Sequence, residues 1–161
     1  MTGSHRTRPR VALTVLPVLA GLLLAGCSGD DDADATSVFS AKPGQCFLAP
    51  AEVEAQVSDL ERVDCSEEHD HEAYAVVPYR AAGEEEASEE FPGDEVLTNF
   101  AEGACAQEFG AYVGVDYLDS ELFFTYLLPS PRSWQEDDRS VLCLVTAAGG
   151  GLEGSVKGTE R

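Results

Sequence analysis

The densest set of potential metal ligands and proton carriers in this 161-residue sequence is Glu67-Glu68-His69-Asp70-His71-Glu72. Imidazole nitrogens beside carboxylate oxygens suit Zn²⁺ or another divalent ion, and clustered acids suit Ca²⁺. The spacing is not the HExxH of a helical zinc site. In an extended segment His69 and His71 point one way and Asp70 and Glu72 the other, which divides the donors. The plainer reading has His69 and Asp70 hydrogen-bonding the loop after Cys65 while the others stay in water. His69, Asp70, His71 and Glu72 thus form a candidate ligand or metal set, and no cofactor is implied.

Other chemistry has less to rest on. Ser130 and Ser133 lack a GxSxG setting, and only His69 and His71 of the three histidines follow the first 26 residues. Two carboxylates for sugar hydrolysis can always be found among 30 acids, so that match carries no information. No catalytic residue is assigned, and a non-enzyme is expected. Trp134 and Arg139 are residue types that dominate binding surfaces, which makes them a candidate partner ledge. A packed Trp beside an Arg–carboxylate pair fits the same residues. The acidic runs at 30–34, 84–90 and 136–138 lack EF-hand spacing and read as solvated loops.

Cys27 is a nucleophile of a different kind. Before it lie His5, Arg6, Arg8 and Arg10, then an apolar run from Val11 to Gly26 broken by Thr14 and Pro17. A basic start, a short apolar stretch and small residues at its end make a secretory signal peptide. Sixteen helical residues would span about 24 Å, short of a hydrocarbon core of about 30 Å, so a permanent transmembrane helix is the weaker reading. Leu24-Ala25-Gly26-Cys27 resembles the bacterial lipobox, in which the Cys thiol takes a diacylglycerol and the chain is cut before it. Acyl chains would then hold the protein at the membrane, each buried CH₂ contributing about 0.8 kcal/mol.

Losing residues 1–26 removes three arginines and no acid, so the formal charge moves from −20 to −23 over 135 residues. That length suits one domain. Its acidity argues against nucleic acid and against docking on anionic lipid. Cys46, Cys65, Cys105 and Cys143 remain, an even number that reads as two disulfides outside the cytoplasm, with three connectivities open. Pairs 46–65 and 105–143 are favoured because each would tie neighbouring elements. No CxxC spacing supports zinc or thioredoxin-type chemistry.

The elements that must position these groups follow in order. Residues 27–42 read as the lipidated Cys and a flexible acidic spacer, and residues 43–161 as the folded domain. Short strands are expected at 45–48, 61–65 and 73–79. The helix should run from Glu95 to Tyr112 or Val113, with Asp94 as N-cap and Gly114 ending it in a left-handed turn. Val96, Leu97, Phe100, Ala101, Ala104, Cys105, Phe109 and Tyr112 share one face of it. Strands at 122–128 and 140–147 should follow, then a glycine turn into 152–156, with Cys143 meeting Cys105. The fold class is α+β: a mostly antiparallel sheet with one long helix packed on it and two disulfides.

These residues together resemble the septum-formation domain family of high-GC Gram-positive bacteria. The likeness covers about Gly44 to Gly158. It rests on Gly44-Gln45-Cys46-Phe47, on Val63-Asp64-Cys65-Ser66 running into His69-Asp70, Glu72 and Tyr74, and on Phe91-Pro92-Gly93. Cys105, Phe109, Tyr112-Val113-Gly114, Pro129-Ser130, Ser133-Trp134, Asp138-Arg139, Cys143 and Gly154-Ser155-Val156-Lys157-Gly158 continue it. Glu68 stands where the family usually has proline and Asp137 where it usually has glycine. The resemblance implies a secreted, often membrane-tethered domain connected with septation, and it supplies no catalytic residues.

The expectation is therefore a lipid-anchored domain on the outer face of the cytoplasmic membrane. It would work by binding an envelope or division protein, with no nucleic-acid partner. A small-ligand or divalent-cation lipoprotein is the alternative, and a cell-wall hydrolase the more distant one.

Overall fold

The computed structural model describes residues 34–50, 57–83 and 88–161. Cys27, the signal segment, most of the 30–34 run and residues 84–87 of the second acidic run lie outside the described residues. No helix among the described residues is long and apolar enough to cross a membrane.

Among the described residues eight strands and two α-helices follow one another: β1 (Asp34–Ser37), β2 (Cys46–Phe47), β3 (Asp59–Val63), β4 (Glu68–His69), β5 (His71–Pro78), α1 (Asp94–Val113), β6 (Leu122–Leu127), α2 (Pro131–Trp134), β7 (Ser140–Ala147) and β8 (Leu152–Glu153). Six strands make one sheet in the order β1-β3-β2-β5-β7-β6, with every pairing antiparallel. β4 and β8 form a separate antiparallel pair. The α+β architecture with one long helix is thus present as expected.

Regular alternation in β7 explains why it sits inside the sheet. Val141, Cys143 and Val145 pack toward α1, while Leu142 and Leu144 join Phe47, Leu60 and Ala73 on the opposite face. Buried on both sides, such a strand reads as an apolar run. β5 carries a bulge between Ala73 and Ala75. The extra residue, Tyr74, joins Ala75 in the core under α1 and reaches the Cys105 carbonyl at 2.8 Å with its hydroxyl.

α1 buries Leu97, Ala101, Cys105, Phe109, Tyr112 and Val113, a stripe at intervals of three and four. Val96 is a correction to the expected face, since it is 44% exposed. It adjoins Leu97 in sequence, and the 100° step between neighbours turns it out of the stripe. The N-cap is Gly93, with φ +97°, and its carbonyl accepts from Leu97 N–H; Asp94 is the first helical residue rather than the cap. There Asp94 and Glu95 still oppose the positive end of the helix dipole. Gly114 ends the helix at φ +96°, and Gly158 N–H and Glu160 N–H cap the Tyr112 and Val113 carbonyls.

The spacer reading is corrected over residues 34–40. β1 pairs with β3 at the sheet edge and leads into a single 3₁₀ turn, Val38–Ser40. An edge strand needs backbone partners more than apolar side chains, so the polar Asp34-Ala35-Thr36-Ser37 can form one. The disulfides are Cys46–Cys65 and Cys105–Cys143, as favoured.

Candidate functional site: a buried polar cluster at Cys46, His69 and Glu72

The candidate set begins with a broken strand. β4 ends at His69 and β5 starts at His71, with a bend at Asp70 between them. Asp70 N–H donates to the Phe47 carbonyl at 3.0 Å, and its carboxylate accepts from Ala49 N–H at 2.7 Å. The expected two-sided split of the donors is therefore corrected: the bend breaks the strand period, and His69 and Glu72 come to the same buried cluster. Asp70 is committed to the Phe47–Ala49 backbone, while His71 is half-buried in β5. The plainer expectation holds for His69, whose Nδ1 contacts the carbonyl of Glu67 in the turn after Cys65, at 2.8 Å.

Each neighbour arrives by its own local logic. β2 lies between β3 and β5, which sets Cys46 opposite both Val63 and Glu72. Asp64 accepts from the Ser66 N–H and hydroxyl, each at 2.8 Å, folding the turn that carries Cys65 back to Cys46. Gly149, Gly150 and Gly151 have φ of +87°, +78° and +76°, a path that side chains resist. That turn returns β8 alongside β4 and places Leu152 opposite His69.

Glu72 is 0% exposed and His69 1%. Three donors converge on the Glu72 carboxylate. The Tyr112 hydroxyl donates to Oε1 at 2.5 Å, the Ser155 hydroxyl to Oε1 at 2.6 Å, and Val156 N–H to Oε2 at 2.8 Å. Hydrogen bonds to charged groups contribute about 1.5–3 kcal/mol each, so Glu72 binds β5, α1 and the C-terminal segment together. Burial, then the Glu72 contact, pushes the Tyr112 phenol well above its ordinary range. Burial likewise raises Tyr74, and it holds His71 below its ordinary 6.5, opposed by Asp70 and reinforced by His69.

One ring nitrogen of His69, the Cys46 sulfur and a Glu72 oxygen all lie within 4.8 Å of one another. Nδ1 of His69 is engaged with Glu67, while Nε2 is buried with no hydrogen-bond partner. Sequence reasoning missed Cys46 as a neighbour of this set. Its strand position opposite Glu72 was the signal, but that register became readable only once the Asp70 bend was known.

The partner ledge is corrected as well. Trp134 is 1% exposed, packed against Tyr79 and Phe91, with its indole N–H donating to the Glu89 carbonyl at 3.1 Å. Arg139 lies over that ring at 4.3 Å and donates to the Trp134 carbonyl, so the pair locks the loop rather than presenting a surface. Phe39, 54% exposed, lines a groove of about 710 Å³ together with Val57, Leu128 and Arg132. Ser130 and Ser133 form the reciprocal cap of α2, and the Ser133 hydroxyl also donates to Asp138 at 2.9 Å. Asp137 has φ +66°, a conformation glycine favours and Asp tolerates, which suits the glycine that the resemblance implies there.

The family model described as septum formation matches residues 43–160. The chain belongs to the septum-formation family. No curated protein and no solved structure matches it.

Proposed function

We propose that this is an exported lipoprotein whose septum-formation domain works as a binding adaptor, not an enzyme, in septum or envelope assembly. The carrying observation is the order of parts: Leu24-Ala25-Gly26-Cys27 stands 16 residues ahead of a domain that matches the family from residue 43. Cleavage before Cys27 and acylation of its thiol tether the domain to the outer face of the cytoplasmic membrane. Confinement to two dimensions raises its effective concentration toward membrane-bound division or wall-synthesis proteins. The two disulfides fit an oxidising, extracytoplasmic setting. The formal charge, −23 once the three arginines of residues 1–26 are removed from the −20 of the whole chain, disfavours docking on anionic lipid or nucleic acid and is compatible with a protein partner.

In-cell crosslinking followed by pull-down of the full-length chain tests this, with Cys27→Ala as control. Division or wall-synthesis proteins recovered with the parent, and lost with Cys27→Ala, are expected. Equal recovery from both chains, or a Cys27→Ala protein that stays in the membrane fraction, contradicts the tethered adaptor.

A further inference from the structure

A buried nitrogen without a partner calls for a physical reason, because desolvating it costs about 1–3 kcal/mol. His69 Nε2 is such an atom in a residue 1% exposed. The carbonyl of Glu67 can only accept, so His69 Nδ1 carries the proton of that 2.8 Å contact. In the neutral ring the free lone pair is then on Nε2. A histidine fixed through its other nitrogen by a backbone carbonyl is the arrangement of a metal ligand. Glu72 is oriented in the same manner by Tyr112, Ser155 and Val156. Its two oxygens offer about four acceptor positions, three of which those donors fill.

The third member of the cluster, Cys46, is held in a disulfide with Cys65 and has no thiolate to offer. We propose that the Cys46–Cys65 disulfide gates a divalent metal site of the zinc class, with the Cys46 thiolate, His69 Nε2 and the Glu72 carboxylate as protein ligands. A dithiol donor supplies two electrons and two protons, the Cys46–Cys65 bond breaks to two thiols, and the donor leaves as a disulfide. The metal then displaces the proton of the Cys46 thiol to solvent. Water or the released Cys65 completes a tetrahedron.

The distances suit this. Zinc bonds of about 2.0 Å to nitrogen and 2.3 Å to sulfur put tetrahedral ligand atoms about 3.3–3.8 Å apart. One ring nitrogen of His69, the Cys46 sulfur and a Glu72 oxygen lie within 4.8 Å of one another, so the three residues have to close by about 1–1.5 Å, with the imidazole turned to present Nε2. Access is also unequal between the two disulfides. Cys65 is half-buried on a turn, whereas Cys105 and Cys143 are both 0% exposed, so a soluble reductant reaches the gate first. The proposal goes beyond the adaptor reading and does not depend on it.

The test uses Co²⁺ as a visible stand-in for zinc, on the full-length chain carrying Cys27→Ala so that no free thiol outside the Cys46–Cys65 pair contributes. After mild reduction with a phosphine, one Co²⁺ per chain with a thiolate-to-cobalt charge-transfer band is expected, and none before reduction. His69→Gln should abolish the band. Tyr112→Phe should weaken binding by about 10- to 100-fold, because it loosens the carboxylate. Cys65→Ser frees Cys46 without any reductant and should bind constitutively. If reduction melts the helical circular dichroism, that variant carries the same readout. No band in a folded Cys65→Ser chain or in the folded reduced parent, or a band unchanged by His69→Gln, overturns the proposal.

Discussion

The two disulfides sit in opposite surroundings. Cys105–Cys143 joins α1 to β7 inside the apolar core, among Tyr74, Phe109, Val141 and Val145. Cys46–Cys65 joins β2 to a solvent-edge turn, beside a buried imidazole and a buried carboxylate. The first region is held by shape, and its parts answer to area and packing density. The second is held by directed hydrogen bonds, so removing one donor leaves a buried carboxylate oxygen short of a partner. One small domain therefore keeps a passive staple and a chemically equipped one on the same sheet.

The sharpest way to break the apolar side is Phe109→Ala. Phe109 is fully buried and meets Tyr74 at 5.8 Å and Tyr117 at 5.5 Å, edge to face. Its truncation should cost about 3–5 kcal/mol in urea unfolding. Retention of parental stability would show that α1 is not packed as described. Next is the staple itself. The residues of Cys105–Cys143 are 38 apart in sequence against 19 for Cys46–Cys65, which on a loop-entropy basis corresponds to about 4 and 3 kcal/mol. Double replacement by alanine should lower the midpoint more for the 105–143 pair, and the reverse order would dissolve the contrast between the two regions.

On the polar side, Tyr112→Phe removes one donor and leaves Glu72 Oε1 short of a partner. A loss of about 1–3 kcal/mol is expected, out of proportion to the single oxygen deleted. The smallest effect belongs to His71. Burial holds its folded-state pKa below 6.5, so the unfolded chain takes up the proton first. Its contribution is neutral above 6.5; stability then falls as the pH drops through that value and levels off below the folded pKa. His71→Gln should flatten this slope in thermal melts from pH 7.5 to 5, and an unchanged slope would remove His71 as its source.

How much of this was legible differs between the same two regions. α1 was legible because Leu97, Ala101, Cys105 and Phe109 repeat at a helical interval and Gly114 supplies the left-handed stop. The Cys105–Cys143 pair followed, since both cysteines lie on apolar faces of regular elements. The polar region depends on breaks in regularity. The Asp70 bend cancels the strand period, the Tyr74 bulge places two consecutive residues on one face, and β4 and β8 are two residues each. Hydrogen bonds that span 83 and 84 positions, from Ser155 and Val156 to Glu72, have no local signature. β1 was hidden for a simpler reason: its backbone, not its side chains, makes the strand.

The most direct test of the tethered-adaptor account is to image a tagged full-length chain in dividing cells beside its Cys27→Ala variant. Enrichment at the forming septum in the parent, replaced by diffuse or released signal in the variant, is the predicted result. Uniform labelling of the envelope by both chains would contradict it.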